Sequence, residues 1–117
     1  MRNFRKYNIW IDSVDFVTET YSLCRSFPSH EKYGLANQLQ RASVSIASNI
    51  AEGAARESEK EFAHFLQVSL GSAYEVETQL VIAHKLSYIS DTQLNNQIPK
   101  LHSIEKRLTE IIKRLNS

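Results

Sequence analysis

Residues 35–56, LANQLQRASVSIASNIAEGAAR, carry two stripes at helical spacing. Leu35, Leu39, Ala42, Ile46 and Ile50 make an apolar one, and Gln38, Arg41, Ser45, Asn49, Glu52 and Arg56 make a polar one a residue earlier. Steps of three and four residues keep each set on one side of an α-helix. At roughly 3.6 residues per turn, an offset of one residue rotates the two sets by about 100°. The polar stripe therefore flanks the apolar one instead of opposing it. Its expected place is the edge of a helix–helix seam, where polar side chains are partly buried and have to be paired. A solvated face would accept Lys and Glu almost anywhere. This one mixes short, medium and charged groups up to Gly53, and reads as a specified contact surface.

The chain of 117 residues fits a single domain spanning 1–117. A domain of that size buries enough surface to hold a core without covalent staples. Three Gly and two Pro are too few for a turn-rich sheet protein or a disordered one. Cys24 is the single cysteine, which leaves no internal disulfide and no thiolate zinc cluster and suits a reducing compartment. Flanked by Tyr21 and Leu23, it reads as a small buried hydrophobe. No apolar run approaches the roughly 18 residues of a bilayer span. Asp12 and Asp15 interrupt any signal-peptide core behind Arg2, Arg5 and Lys6, so a cytoplasmic protein with no membrane partner is expected.

Taken in order, Tyr7, Trp10, Val14, Val17, Tyr21 and Cys24 fall at helical spacing, with Ile11 widening the stripe, and Phe27-Pro28 stops that helix. Ser29 is the expected N-cap of a second helix that runs to about Ala55, with Gly34 as a weak point near its start. Ser58 and Glu61 form a capping box ahead of a third helix. In it Phe62, Leu66, Ala73 and Leu80 make one row, and Phe65, Val68, Ser72, Glu75, Gln79, Ile82 and Leu86 make the adjacent one. Gly71 in mid-helix would permit close backbone approach. Ser90-Asp91-Thr92 caps a fourth helix carrying Leu94, Ile98, Leu101, Leu108, Ile111 or Ile112, and Leu115, nearly a heptad. Pro99 is expected to kink it or to delay its regular part. Four helices with short connections predict an all-α, antiparallel up-down four-helix bundle.

Chemistry is hard to place on this pattern. Glu61-x-x-His64 matches one element of a di-iron bundle site, but such a site needs a second element and two further Glu, and none is present. No glycine elbow presents a serine, and no glycine loop would cradle phosphate. Glu52, Glu61, Glu75 and Glu77 are expected to pair with Arg41 and Arg56 more readily than to form an acid/base couple. A non-enzymatic protein with no metal and no cofactor is the expectation. Nucleic-acid binding has more support. Arg2, Arg5 and Lys6 interleave with Phe4, Tyr7 and Trp10 as in single-strand platforms, and Lys106, Arg107, Lys113 and Arg114 add phosphate-contact candidates. The middle opposes this: residues 51–80 hold six acidic against two basic side chains, a net −4.

The run QLQRASVSIASNIAEGAARES followed by EFAHFLQVSLGSAYEVETQLVIAHKLSY resembles the bacterial four-helix-bundle proteins encoded in intervening sequences of 23S ribosomal RNA genes. The resemblance covers nearly half the chain closely. It implies an up-down bundle assembled as a homo-oligomer, a pentameric ring. The family also takes in the accessory variability determinant of diversity-generating retroelements, which binds nucleic acid and a reverse transcriptase through a basic outer surface. That relation leaves open RNA, DNA or a reverse transcriptase as a partner here. Arg41, Asn49, Glu52, Arg56, Glu61, Ser72 and Glu75 fall on the signature positions, and the signature does not assign them to catalysis. This chain departs from the retroelement relative in its near-neutral charge and acidic third helix.

Overall fold

Helices α1 (Asn8–Cys24), α2 (Leu35–Ala54), α3 (Glu59–Lys85) and α4 (Asp91–Leu115) build the chain in a computed structural model, which describes residues 2–117. Short 3-10 turns at Phe4–Lys6 and Ser29–Glu31 precede α1 and α2. Each helix packs on the next, α1 closes on α4, and the diagonal pairs make no close backbone approach. That is the up-down four-helix bundle the spacing predicts. Its long axis is 43 Å. A 27-residue α3 at about 1.5 Å per residue spans nearly all of it.

The apolar stripe of α2 lands as read: Leu39, Ala42, Ile46 and Ile50 are buried, and Leu35 is half-buried at the mouth of the bundle. Against them stand Leu66, Ala73, Val76 and Leu80 of α3, and Leu101, Ile104, Leu108 and Ile112 of α4. On α1 the structure corrects the sequence reading. The inward row is Ile9, Ser13, Phe16, Thr20 and Leu23, while Trp10, Val14 and Val17 lie at the flank and Ile11 and Tyr21 are exposed. Ser13 and Thr20 can sit inside because their hydroxyls donate to carbonyls one turn back, Ile9 O at 2.6 Å and Phe16 O at 3.0 Å. Satisfied in this way, they pack as small core residues. Cys24 is buried as expected.

Three helix ends also differ from the sequence reading. Ser29 makes no cap hydrogen bond; the chain instead turns at Gly34, and the Glu31 carboxylate accepts from Leu35 N–H at 3.0 Å to cap α2. A Cβ on Gly34 would fall 2.6 Å from Glu31 Oε1, so the glycine makes room for that cap. Ser58 caps α3 by accepting from Glu61 N–H, but its hydroxyl rather than its backbone faces the Glu61 carboxylate. The full reciprocal box forms one helix later, between Ser90 and Gln93. Pro99 neither ends nor delays α4: the helix runs through it, anchored beyond it by the four buried residues from Leu101 to Ile112. At the C-terminus of α3, Tyr88 N–H bonds to Ala83 O and Ser87 N–H to His84 O, with Ser87 at φ 64°. This is a Schellman ending with serine where glycine is usual.

Candidate functional site

The polar stripe of α2 meets α3 along a seam that is close-packed at Gly53. A Cβ there would fall 2.7 Å from Phe65 Cβ and 3.0 Å from Phe62 Cδ1. Farther along, Ser69 donates to Ile46 O at 2.8 Å, and Ser45 and Ser72 share a hydrogen bond of 2.8 Å. Asn49 donates to both the carbonyl and the hydroxyl of Ser45. The Ser45–Ser72 bond sets the polar stripe of α2 beside the row of α3 that contains Phe65, Val68, Ser72, Glu75, Gln79, Ile82 and Leu86.

The combined face divides into two strips. Ser45, Asn49 and Ser72 are half-buried and matched within the chain. Gln38, Arg41, Glu52 and Glu75 are exposed, and their side chains make no hydrogen bond or ion pair among the described residues. The expected pairing of Glu52, Glu61, Glu75 and Glu77 with Arg41 and Arg56 is therefore not made within the chain. Arg56 instead lies over the Phe65 ring, 4.5 Å from its centroid, Glu61 serves the cap of α3, and Glu77 turns toward α4. Beside the unmatched strip, Val68, Ile82 and Leu86 are 41, 42 and 51% exposed. Gly71, expected to allow a close helix contact, has no heavy atom of the described residues beyond its own turn of helix within 4 Å of where its Cβ would be. Gln79 is the exception among the inner residues of this face, since its buried Oε1 has no hydrogen-bond partner among the described residues.

The basic candidates gather at one end of the bundle, and two of them are already engaged. Arg2 donates to the carbonyls of Ala54 and Arg56 and stacks on Phe62, so it caps the negative end of α2. Arg107 donates to Asp12 at 2.7 Å. Arg5 lies over Phe4, and Phe4 packs edge-on against Trp10 at 5.1 Å. The aromatics thus tie down the N-terminal turn, and Phe4 and Trp10 are not laid open as a stacking platform. Lys6, Lys106, Lys113 and Arg114 are exposed. A shallow cleft of about 600 Å³ joins the starts of α1 and α3 to the end of α4, and there Glu59 and Glu110 offset Arg107 and Arg114.

A third site was missed in the sequence. Glu77 on α3 faces His102 and Glu105 on α4, and one ligand atom from each lies within 4.8 Å of the others. His102 Nε2 is 3.4 Å from Glu77 Oε2. Burial, then the adjoining Glu77, pushes Glu105 up to about 8, while the hydrogen bond from Glu105 holds Glu77 below the usual carboxylate range. The two carboxyls thus share one proton near neutral pH. The available signal was His102-x-x-Glu105, an i,i+3 pair on one helical face. The half-motif considered instead, Glu61-x-x-His64, is split between a cap and an exposed histidine packed edge-on against Phe65.

Among the described residues no helix is long and apolar enough to cross a membrane. No curated protein matches the chain. A crystal structure from Bacteroides thetaiotaomicron VPI-5482, described as a protein of unknown function from the S23 ribosomal protein family, superposes with a TM-score of 0.84. It is 25% identical, with 90% of this chain and 98% of that chain covered. The family model of the 23S rRNA-intervening sequence protein matches residues 5–110. Nearly the whole bundle is thus accounted for, and the chain belongs to the 23S rRNA-intervening sequence protein family.

Proposed function

We propose that the protein is a non-enzymatic subunit of a homo-oligomeric ring, pentameric as the family resemblance implies, joined through the outer strip of α2 and α3. The observation that carries this reading is Gly71. A glycine in a helix interior costs about 1 kcal/mol against alanine. Among the described residues nothing lies near enough to require it. Closely approaching backbone from a second copy would require it, and would also cover Val68, Ile82 and Leu86. The same contact would offer partners to Gln38, Arg41, Glu52 and Glu75, polar groups that a purely apolar docking face would not carry.

Such a ring repeats the exposed cations Arg5, Lys6, Lys106, Lys113 and Arg114 once per subunit. Repetition raises a weak contact to useful avidity on a long polyanion, so modest RNA or DNA binding accompanies assembly in this reading. With Arg2 and Arg107 engaged inside the fold and acids at the same end, each copy alone is a poor phosphate binder.

Light scattering on the size-separated protein tests the first part. The expected mass is five times the 13.4 kDa chain. Gly71→Leu, placed in open space and favourable for helix, is expected to keep the helical circular dichroism and release smaller species. Arg41→Ala is expected to loosen the assembly likewise. A monodisperse wild-type monomer overturns the proposal. Mobility shifts of structured RNA and duplex DNA at two salt concentrations test the second part, with retardation expected only at low salt.

A further inference from the structure

We propose that Glu77, His102 and Glu105 form a binding site for a divalent transition-metal ion, of the zinc type, on the α3–α4 side of the bundle. A run of surface carboxylates would not suggest this. Here an imidazole nitrogen and two carboxylate oxygens, carried by two helices, point at one volume. A mixed nitrogen–oxygen set suits Zn²⁺ and its neighbours better than Mg²⁺ or Ca²⁺, which prefer oxygen alone.

The spacing is close to what such an ion needs. With ligand bonds of about 2.0–2.2 Å in a tetrahedron, ligand atoms sit about 3.4 Å apart. The His102–Glu77 separation is 3.4 Å already. The other pairs lie within 4.8 Å, and His102 is exposed to solvent. A second feature points the same way: Glu105 Oε2 is buried, and no N–H or hydroxyl of the described residues donates to it. A buried acceptor left without a donor is unfavourable. A cation in the cluster would give the half-buried Glu105 carboxylate a partner, and water would fill the remaining coordination position. The site lies on the flank of α3 away from the proposed subunit contact, so it does not depend on the ring.

Titration calorimetry of ZnCl₂ into chelator-stripped protein at pH 7.5 is the test. One ion per chain is expected. His102→Ala and Glu105→Gln should each weaken binding tenfold or more while the circular dichroism is kept, and His64→Ala, an exposed histidine elsewhere, should bind as wild type does. Cobalt substitution adds a second readout, a visible d–d absorption present in wild type and absent from His102→Ala. The proposal is overturned if wild type takes up no zinc, if it binds no more tightly than His102→Ala, or if His64→Ala loses as much.

Discussion

Replacing Gly53 by alanine sets helix propensity against packing, and the structure says which wins. In an open helix interior the change gains about 1 kcal/mol. At Gly53 the new methyl would meet Phe65 Cβ at 2.7 Å, Phe62 Cδ1 at 3.0 Å and Phe62 O at 3.3 Å. Carbon atoms rest about 3.5–4.0 Å apart, so the overlap with Phe65 Cβ alone approaches 1 Å. The Phe62 ring can tilt. Phe65 Cβ cannot, because it is fixed to the backbone of α3, so relief requires the two helices to part. Parting them strains the Ser69–Ile46 and Ser45–Ser72 bonds on the same seam. Overpacking of this kind costs about 1–3 kcal/mol. With the upper half of that range applying and the propensity gain subtracted, the net loss is about 1–2 kcal/mol. In a chain of this length that lowers Tm by roughly 3–10 °C. Urea and thermal melts at one fixed protein concentration would measure it. A Gly53→Ala protein as stable as wild type, or more so, would refute the close seam.

Three further outcomes follow from other parts of the fold. Because Glu105 is raised to about 8 in the folded state, it binds a proton there that the unfolded chain has already lost above its ordinary range. Its contribution is therefore complete below about pH 4.5 and is lost as pH rises toward 8. In chelator, Glu105→Gln, which stays neutral, should match wild type near pH 5 and melt higher at pH 8; equal melting at both would exclude the shared proton. Ser87 holds φ at 64°, a conformation unfavourable by about 1–2 kcal/mol for a residue with a side chain. After glycine's larger unfolded-state entropy is subtracted, Ser87→Gly should stabilise by about 0.5–1 kcal/mol, read as a raised urea midpoint. Burial pushes the Cys24 thiol up to about 11, so a thiol-specific chromogenic reagent at pH 8 should react only as fast as the protein opens, and at once in denaturant.

What the sequence disclosed and what it hid divide along physical lines. Helix number, the inward stripe of α2 and the Ser90 start of α4 follow from spacing and cap chemistry within one segment, and these were legible. The inward face of α1 was misread because width and hydrophobicity were weighed without hydroxyl satisfaction. Tyr21 is apolar enough to be expected inside, yet Thr20 is the residue buried, since its hydroxyl finds Phe16 O. The Glu31 cap and the Arg2 clamp were hidden because each joins segments whose meeting depends on how the chain turns. The Glu77–His102–Glu105 cluster was hidden for the same reason, being split across two helices.

The polar stripe itself is both legible and incomplete, and that combination carries the functional argument. Spacing alone put Ser45, Asn49 and Arg41 on one flank of α2. Folding matches the first two, as Asn49 donates to Ser45 one turn back and α3 arrives with Ser72 at hydrogen-bonding distance of Ser45. Folding leaves Arg41 unmatched, along with Gln38 and Glu52, among the described residues. Beside them α3 sets a glycine with empty space above it and three exposed aliphatic side chains. Val68, Ile82 and Leu86 exposed along one side of α3 beside unpaired polar groups fit a contact surface. In the proposed ring, a second helix pair crossing that edge would cover all of them with one contact. The sequence specifies the stripe over its full length, and a single chain folds to satisfy only its inner half.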